Sequence, residues 1–122
     1  MINNIVQLIR LKDWFKNLII FLPLIFSGNL NNTSLYPVLF ISFFLFCLTS
    51  SVIYIINDLK DIESDKFHFL KINKKPLASG LLSKQAAISI LLFLLLLIGF
   101  ILINFSIIIY HLMFYLIINV IY

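Results

Sequence analysis

The feature that most constrains this chain is its last third, which contains no Asp, Glu, Lys or Arg from Ala86 to Tyr122. A straight α-helix of that length would extend about 55 Å, whereas the hydrocarbon core of a bilayer is about 30 Å thick. The segment is therefore long enough for two membrane helices. The polar break at residues 104–106 predicts a tight hairpin between spans 86–103 and 107–121. Residues 78–80 predict a tight turn before the first of these spans, which Ser83 is expected to cap.

The composition of the whole chain also indicates that its solvent is lipid. Hydrophobic residues make up 62% of the 122 residues and charged residues 11%, against roughly half and a quarter in soluble domains. A soluble domain of this size would expose large apolar patches. The formal charge of +4 arises from cations that lie between apolar runs, which is typical of membrane topology signals. We expect a membrane environment and no nucleic-acid partner.

Two further apolar runs precede the polar middle of the chain. Span 14–30 is short and contains Pro23, which membrane helices tolerate when neighbours satisfy the freed carbonyl. Span 35–57 contains small hydroxyl residues that suit close helix packing. Residues 2–11 predict an amphipathic surface helix, and residues 28–33 predict a turn. The predicted fold class is all-α, a polytopic transmembrane helix bundle with about four spans.

The cations predict how these spans are oriented. Arg10, Lys12 and Lys16 lie before or at the start of the first span, and six cations lie in the loop 58–85, so both groups fall on the same side. Because cationic loops are retained in the cytoplasm, both termini and the mouth of a site in this loop are expected on the cytoplasmic side of the plasma membrane. The chain stops at the edge of its last span, so we expect residues 1–122 to be the truncated N-terminal part of a single transmembrane domain.

An acidic stripe directly after the second span is the strongest candidate site. At about 100° per residue, Asp58, Asp61 and Asp65 fall within an arc of about 60° on a continuing helix, while Glu63 points the other way. Three carboxylates on one face repel each other unless a cation neutralises them. Oxygen ligands at this density suit Mg²⁺, so the three aspartates are predicted as metal ligands and catalytic residues. The alternative is a solvated loop in which acids and lysines alternate.

Residues around the stripe are candidates for substrate binding. Tyr54 lies on the same stripe, one turn before Asp58. Asn57 borders the stripe, and its side chain would hold a metal-bound water or cap the span. Lys71 and Lys75 would clamp a diphosphate as point charges, or would anchor the chain at the membrane surface. His68 would donate to a phosphate or move a proton, or would simply be solvated.

These residues resemble the UbiA-type family of intramembrane prenyltransferases. The first aspartate-rich motif of that family is N-D-x-x-D-x-x-x-D, and this chain matches it from Asn57 to Asp65. Residues 11–18 and 23–30 are similar to the opening L-R-P-K-x-W-x-K-N and P-L-I-F-S-G of its decaprenyl-phosphate phosphoribosyltransferase branch. Residues 76–80 resemble the R-P-I-A-S-G of that branch, although Lys75 stands where the branch has Arg.

The resemblance implies a bundle of about nine spans with a second aspartate motif, of which this chain carries about four spans. It implies an Mg²⁺-assisted transfer of 5-phosphoribose from phosphoribosyl diphosphate to a polyprenyl phosphate lipid. Asp58, Asp61 and Asp65 would hold the metal on the departing diphosphate. Lys16, which lies in the opening motif, joins the expected substrate-binding residues.

Two other functions remain open at this point. In prenyl-transferring relatives a polyprenyl diphosphate is the donor and an aromatic ring is the acceptor, and the same aspartates would clamp the diphosphate. The second alternative is that the chain is an inactive fragment or a non-enzymatic membrane module. Such a module would bind Mg²⁺ or anionic lipid through residues 58–75. A C-terminal half that supplies the remaining spans is an expected partner.

Overall fold

The computed structural model describes residues 2–67 and 75–105, and every regular element in these residues is helical. The α-helices are α1 Ile2–Leu8, α2 Leu22–Phe26, α3 Tyr36–Lys60, α4 Ile62–Lys66 and α5 Lys84–Asn104. Two 3-10 helices, Leu11–Phe21 and Thr33–Leu35, precede α2 and α3 respectively. The predicted all-α class is confirmed for this part of the chain.

Two of the described helices are long and apolar enough to cross a membrane. They are the helical run Thr33–Lys60, which contains α3, and the helix α5, with mean hydropathies of 2.4 and 3.2. These helices overlap the predicted spans 35–57 and 86–103, and together with the composition they indicate a membrane protein. The predicted span 107–121 lies outside the described residues, and the count of four spans stays a prediction.

The predicted first span, 14–30, is not a single α-helix. Pro23 has no N–H with which to bond the Ile19 carbonyl, and the N–H of Leu22 donates to that carbonyl instead. The 3-10 helix ends there, and α2 begins with Pro23 in its first turn. At rises of about 2.0 and 1.5 Å per residue the two segments together extend about 30 Å, which is still the thickness of a bilayer core.

The segment from Arg10 to Phe21 lies antiparallel along α3. Its side chains at helical spacing contact α3 residues that come progressively earlier in the chain. The pairs are Arg10 with Asp58, Trp14 with Ser51, Asn17 with Cys47 and Ser50, and Phe21 with Phe40 and Phe43. The small hydroxyl residues of α3 therefore stand at close contacts, as predicted. This packing brings Arg10 to the C-terminal end of α3.

The hydrophobic core joins α3 to α5, to α1 and to the turn that precedes α5. Its buried members are Leu45, Leu48, Val52 and Ile55 of α3, Ala87, Leu94 and Ile98 of α5, Leu8 of α1, and Leu77 and Leu82 of the turn. A helix forms at the N-terminus, but α1 ends at Leu8 and does not reach residue 11 as predicted, and Leu8 is completely buried. Large apolar side chains elsewhere on α5, such as Leu92, Phe93 and Leu96, are exposed, as a helix that crosses a membrane requires.

The predicted turn around Gly80 lies between Lys75 and α5. Gly80 has a φ of 74°, which residues with a Cβ rarely adopt. The N–H of Leu82 donates to the Pro76 carbonyl at 3.0 Å and closes the turn. The turn holds Lys75 beside the end of α3, which is where the candidate site lies.

Ser83 caps α5 as predicted, since its Oγ accepts the N–H of Ala86 at 3.1 Å. The Ser83→Ala substitution removes this acceptor, and we expect it to lower the free energy of unfolding by about 1 kcal/mol. Ser89→Ala is a matched control, because the Ser89 Oγ donates to the Gln85 carbonyl within the helix and caps no terminal N–H. Chemical unfolding in detergent micelles compares the two variants, and equal losses would contradict the role of the cap.

Candidate functional site

Two buried carboxylates lie where α3 gives way to α4. The α3 helix ends at Lys60, Asp61 has non-helical dihedrals of φ −92° and ψ 5°, and α4 follows. Asp58 is 3% exposed and Asp65 is 1% exposed. An ionised carboxylate in such a position costs free energy unless cations and hydrogen bonds compensate it. The cationic partners of these two aspartates therefore define the site.

Lys75 joins the two carboxylates. Its Nζ lies 2.8 Å from Oδ1 of Asp58 and 2.5 Å from Oδ2 of Asp65. Burial lowers the pKa of Lys75, but the hydrogen bonds and charges of both aspartates raise it by more, so the pKa lies above its ordinary value. The contribution of the Lys75 ammonium to folding is therefore fully present below its ordinary pKa and is lost as the pH rises through the raised pKa.

Arg10 is a second cation at this site, and it is not among the site residues predicted from the sequence. Its Nη2 lies 3.1 Å from Oδ1 of Asp58, and its guanidinium stands 4.3 Å from the centroid of the Tyr54 ring. Arg10 has a left-handed backbone with φ 52° and ψ 49°, a conformation that is uncommon for residues other than glycine. A signal for Arg10 existed, because counting back from Trp14 places it at the Arg of the L-R-P-K-x-W-x-K-N opening.

A buried hydroxyl on α3 holds the segment around Arg10 in place. Ser51 is 0% exposed, and its Oγ accepts the indole N–H of Trp14 at 3.1 Å. The same hydroxyl lies 2.7 Å from the carbonyl oxygen of Ile9, to which it donates. One side chain of α3 thus bonds to the chain on both sides of Arg10, and this fixes where the guanidinium stands.

A cavity of about 730 Å³ opens beside Asp58, Lys75 and Arg10, which all line it. Its cationic wall consists of Arg10, Lys12 and Lys75, and Asp58 and Asp13 are its acidic members. The helix α1 contributes Asn3, Val6 and Gln7 to the lining. A volume of this size accepts a phosphorylated small molecule, and the adjacent cations suit the phosphate charge.

The structure brings some of the predicted site residues together. Asp58, Asp65 and Lys75 form one cluster, and Tyr54 joins it through the guanidinium of Arg10. We name Asp58, Asp65, Lys75 and Arg10 the carboxylate cluster. The structure therefore brings two of the three predicted aspartates into contact with one of the predicted lysines.

Other predicted site residues lie apart from this cluster. Asp61 and Asn57 are exposed, and Asp61 forms no ion pair with a described residue. The prediction that one continuous helix carries all three aspartates on one face is wrong. The helix is interrupted at Asp61, and this breaks the spacing of about 100° per residue before Asp65. Among residues 2–67 and 75–105, no three His, Cys, Asp or Glu side chains group closely enough to hold a metal ion.

The remaining predicted residues are placed as follows. Lys16 is exposed and pairs with Asp13 at 2.7 Å. Glu63 is exposed and pairs with Lys66 at 3.1 Å. His68 and Lys71 lie outside the described residues.

Comparison with known proteins identifies relatives of this chain. It is 30% identical to the decaprenyl-phosphate phosphoribosyltransferase of Mycolicibacterium smegmatis over 94 residues, which are 74% of this chain and 29% of that protein. It is 31% identical to the protein of the same name from Corynebacterium glutamicum over 83 residues, which are 66% of this chain and 24% of that protein. The nodulation protein NoeC of Azorhizobium caulinodans is 36% identical over 74 residues, or 61% of this chain and 24% of NoeC.

The fold and the site define a helical membrane protein with a cluster of buried carboxylates and cations at the end of a membrane helix. The relatives confirm the resemblance found in the sequence: the chain has homologues named decaprenyl-phosphate phosphoribosyltransferase, in the UbiA-type family, and NoeC is a further relative. The chain spans less than a third of the length of these curated relatives. No family model and no solved structure matches it.

Removal of the shared ammonium should destabilise the fold strongly. Lys75→Met leaves two buried carboxylates without their common cation, and breaking a buried ion pair costs about 3 to 5 kcal/mol. Lys66→Met is the control, because its pair with Glu63 is exposed and such pairs contribute little. Unfolding in detergent should therefore show a much larger loss for Lys75→Met, with Lys75→Arg intermediate. Equal losses for the two methionine variants would refute the structural role of Lys75.

Proposed function

We propose that this protein acts in the Mg²⁺-dependent transfer of 5-phosphoribose from phosphoribosyl diphosphate to a polyprenyl phosphate, with release of diphosphate. The observation that carries the proposal is the carboxylate cluster, which borders a cavity of about 730 Å³ at the end of an apolar helix. The names of the homologues support a transferase and favour the phosphoribosyl branch. A phosphorylated donor and a lipid acceptor both suit this position.

Asp58 and Asp65 are the residues that would hold Mg²⁺. Their oxygens already converge on one cation, the ammonium of Lys75, and Mg²⁺ in proteins commonly uses one or two carboxylates together with substrate phosphates and waters. When bound, the metal would neutralise the charge that develops on the leaving diphosphate. The donor set of the two aspartates fits this cation, and Asp61 stays a predicted third ligand.

The cations of the cluster would bind the phosphate groups of the donor. Arg10 presents a planar guanidinium that forms two parallel hydrogen bonds to one phosphate, whereas Lys75 acts as a point charge. Arg10 therefore offers a planar donor at this site, although Lys75 stands where the branch has a second Arg. Its stacking on Tyr54 and its bond to Asp58 orient the guanidinium before a substrate arrives. Asn57, Lys16, His68 and Lys71 stay candidates for further substrate contacts.

The membrane position of the site matches the two substrates. A polyprenyl phosphate keeps its tail among the lipid chains around α3 and α5, and its phosphate lies at the level where these helices end. Phosphoribosyl diphosphate is soluble in water and would enter the cavity from the aqueous side. An oxygen of the lipid phosphate would attack C1 of the ribose, and diphosphate would leave as the C1–O bond breaks.

The proposal is tested in membranes from cells that make the protein, supplied with phosphoribosyl diphosphate labelled in the ribose and with polyprenyl phosphate. We expect the label to enter the lipid phase in a Mg²⁺-dependent manner. Asp58→Asn and Asp65→Asn should each reduce this transfer roughly ten- to a hundred-fold, because a lost charge-assisted ligand costs about 1.5 to 3 kcal/mol. Asp61→Asn should behave in the same way if Asp61 is the third ligand.

Glu63→Gln is the matched control for these variants, because Glu63 lies on the same helical stretch but pairs outward with Lys66. It should change transfer by less than the aspartate variants. Label that stays wholly in the aqueous phase, while an aromatic acceptor is prenylated from polyprenyl diphosphate, would replace this proposal with the prenyl-transfer alternative. Loss of transfer in Glu63→Gln equal to that in Asp58→Asn would refute the assignment of the cluster.

We propose that both termini and the site lie on the cytoplasmic side of the membrane. The structure supports a common side for the cations, because Arg10 from the N-terminal segment and Lys75 from the loop after α4 meet at Asp58. In a Cys47→Ser background, Asn31→Cys should react with a membrane-impermeant thiol reagent on intact cells. Ser64→Cys should react only after the cells are opened. The reverse pattern would overturn the orientation.

A further inference from the structure

A second cleft, of about 500 Å³, lies where α3, α4 and the turn before α5 meet. Its floor is apolar and includes Leu59, Ile62, Leu77 and Leu82. None of the residues that line it also lines the cavity beside the carboxylate cluster. The cleft is therefore a separate feature of the fold, and the proposed function leaves it without a role.

The rim of this cleft is cationic. Lys60, Lys66 and Lys84 line it, opposed by the single carboxylate of Glu63. Glu63 pairs with Lys66 at 3.1 Å, whereas Lys60 and Lys84 form no ion pair with any residue in the described part of the chain. Two ammonium groups are thus available to an anion at the edge of an apolar floor.

The cleft stands at the level where the two membrane helices end. Lys60 is the last residue of α3 and Lys84 is the first residue of α5. Ile56 lies one turn before Lys60 on α3, and Ile88 lies one turn after Lys84 on α5, each on the same face of its helix as the lysine. Their side chains are 40% and 39% exposed. A molecule held between the lysines would therefore have an apolar surface below it along both helices.

We infer that this cleft binds the phosphate headgroup of an anionic membrane lipid. The ammonium groups of Lys60 and Lys84 pair with the phosphate as point charges, and basic pockets between membrane helices are a recurrent setting for such headgroups. The apolar floor and the exposed Ile56 and Ile88 receive the start of the acyl chains. A free phosphate ion would use the lysines alone, so the apolar surface favours a lipid as the occupant.

The inference is tested with the whole purified protein in detergent, by native mass spectrometry and by thermal stabilisation with added lipid. Phosphatidylglycerol should be retained and should stabilise the protein more than phosphatidylcholine. Lys60→Gln and Lys84→Gln should each weaken phosphatidylglycerol binding about fivefold, which corresponds to about 1 kcal/mol for each basic residue near the lipid surface. Glu63→Gln should strengthen binding, because it removes the carboxylate that competes for Lys66.

Lys12→Gln is the control for net charge, because Lys12 is an exposed lysine that lines the other cavity. It should leave phosphatidylglycerol binding unchanged. Equal weakening by Lys12→Gln, equal retention of both lipids, or equal stabilisation by inorganic phosphate alone would each overturn the inference. Lys84→Gln should leave transfer of the ribose label unchanged, because Lys84 does not line the cavity beside the carboxylate cluster, so failure of this inference and failure of the proposed function give different results.

Discussion

The ammonium of Lys75 between the carboxylates of Asp58 and Asp65 is the contact on which the rest of the described structure depends. Neither aspartate would be stable as an ion in its buried position without a cation at hydrogen-bond distance. The contact ties the end of α3 to α4 and to the turn that leads into α5. It therefore also sets where α5 begins, and the two apolar helices can pack along each other from that point.

The N-terminal segment adds a second restraint on the same cluster. Arg10 reaches Asp58 because the residues that follow it lie antiparallel along α3, held by contacts such as Trp14 with Ser51. The left-handed backbone of Arg10 is tolerated because the neighbouring hydrogen bonds to Ser51 determine the path of the chain on both sides. The members of the cluster come from four segments, namely the N-terminal segment, α3, α4 and the turn before α5. Contacts among four segments restrain the positions of these charges, and in our proposal this preorganises them for a phosphate group.

The two clefts differ in chemistry because they lie on different parts of the α3–α4 junction. One contains buried carboxylates that share cations, and this arrangement suits a metal ion together with a phosphorylated substrate. The other has two lysines, Lys60 and Lys84, that form no ion pair within residues 2–67 and 75–105, beside an apolar floor, and this suits a lipid headgroup. In our proposals the same helix end thus carries a site for the soluble donor on one side and a lipid site on the other.

Local sequence was enough to predict the helical class, the apolar helices near 35–57 and 86–103, the cap at Ser83 and the glycine turn before α5. Hydropathy, capping and turn preferences depend on residues close together in the chain, so a short window contains the information. The break in the first apolar run also has a local cause in Pro23, although the sequence alone left the run as one span.

The partners within the site depend on contacts between distant residues. Arg10 and Asp58 are 48 residues apart, and no local pattern indicates that they meet. The helical spacing of Asp58, Asp61 and Asp65 predicted one face, but the interruption at Asp61 and the burial of its two neighbours around Lys75 separate Asp61 from them. Burial and ion pairing are properties of the packed chain, and they decided which of the predicted carboxylates share a cation.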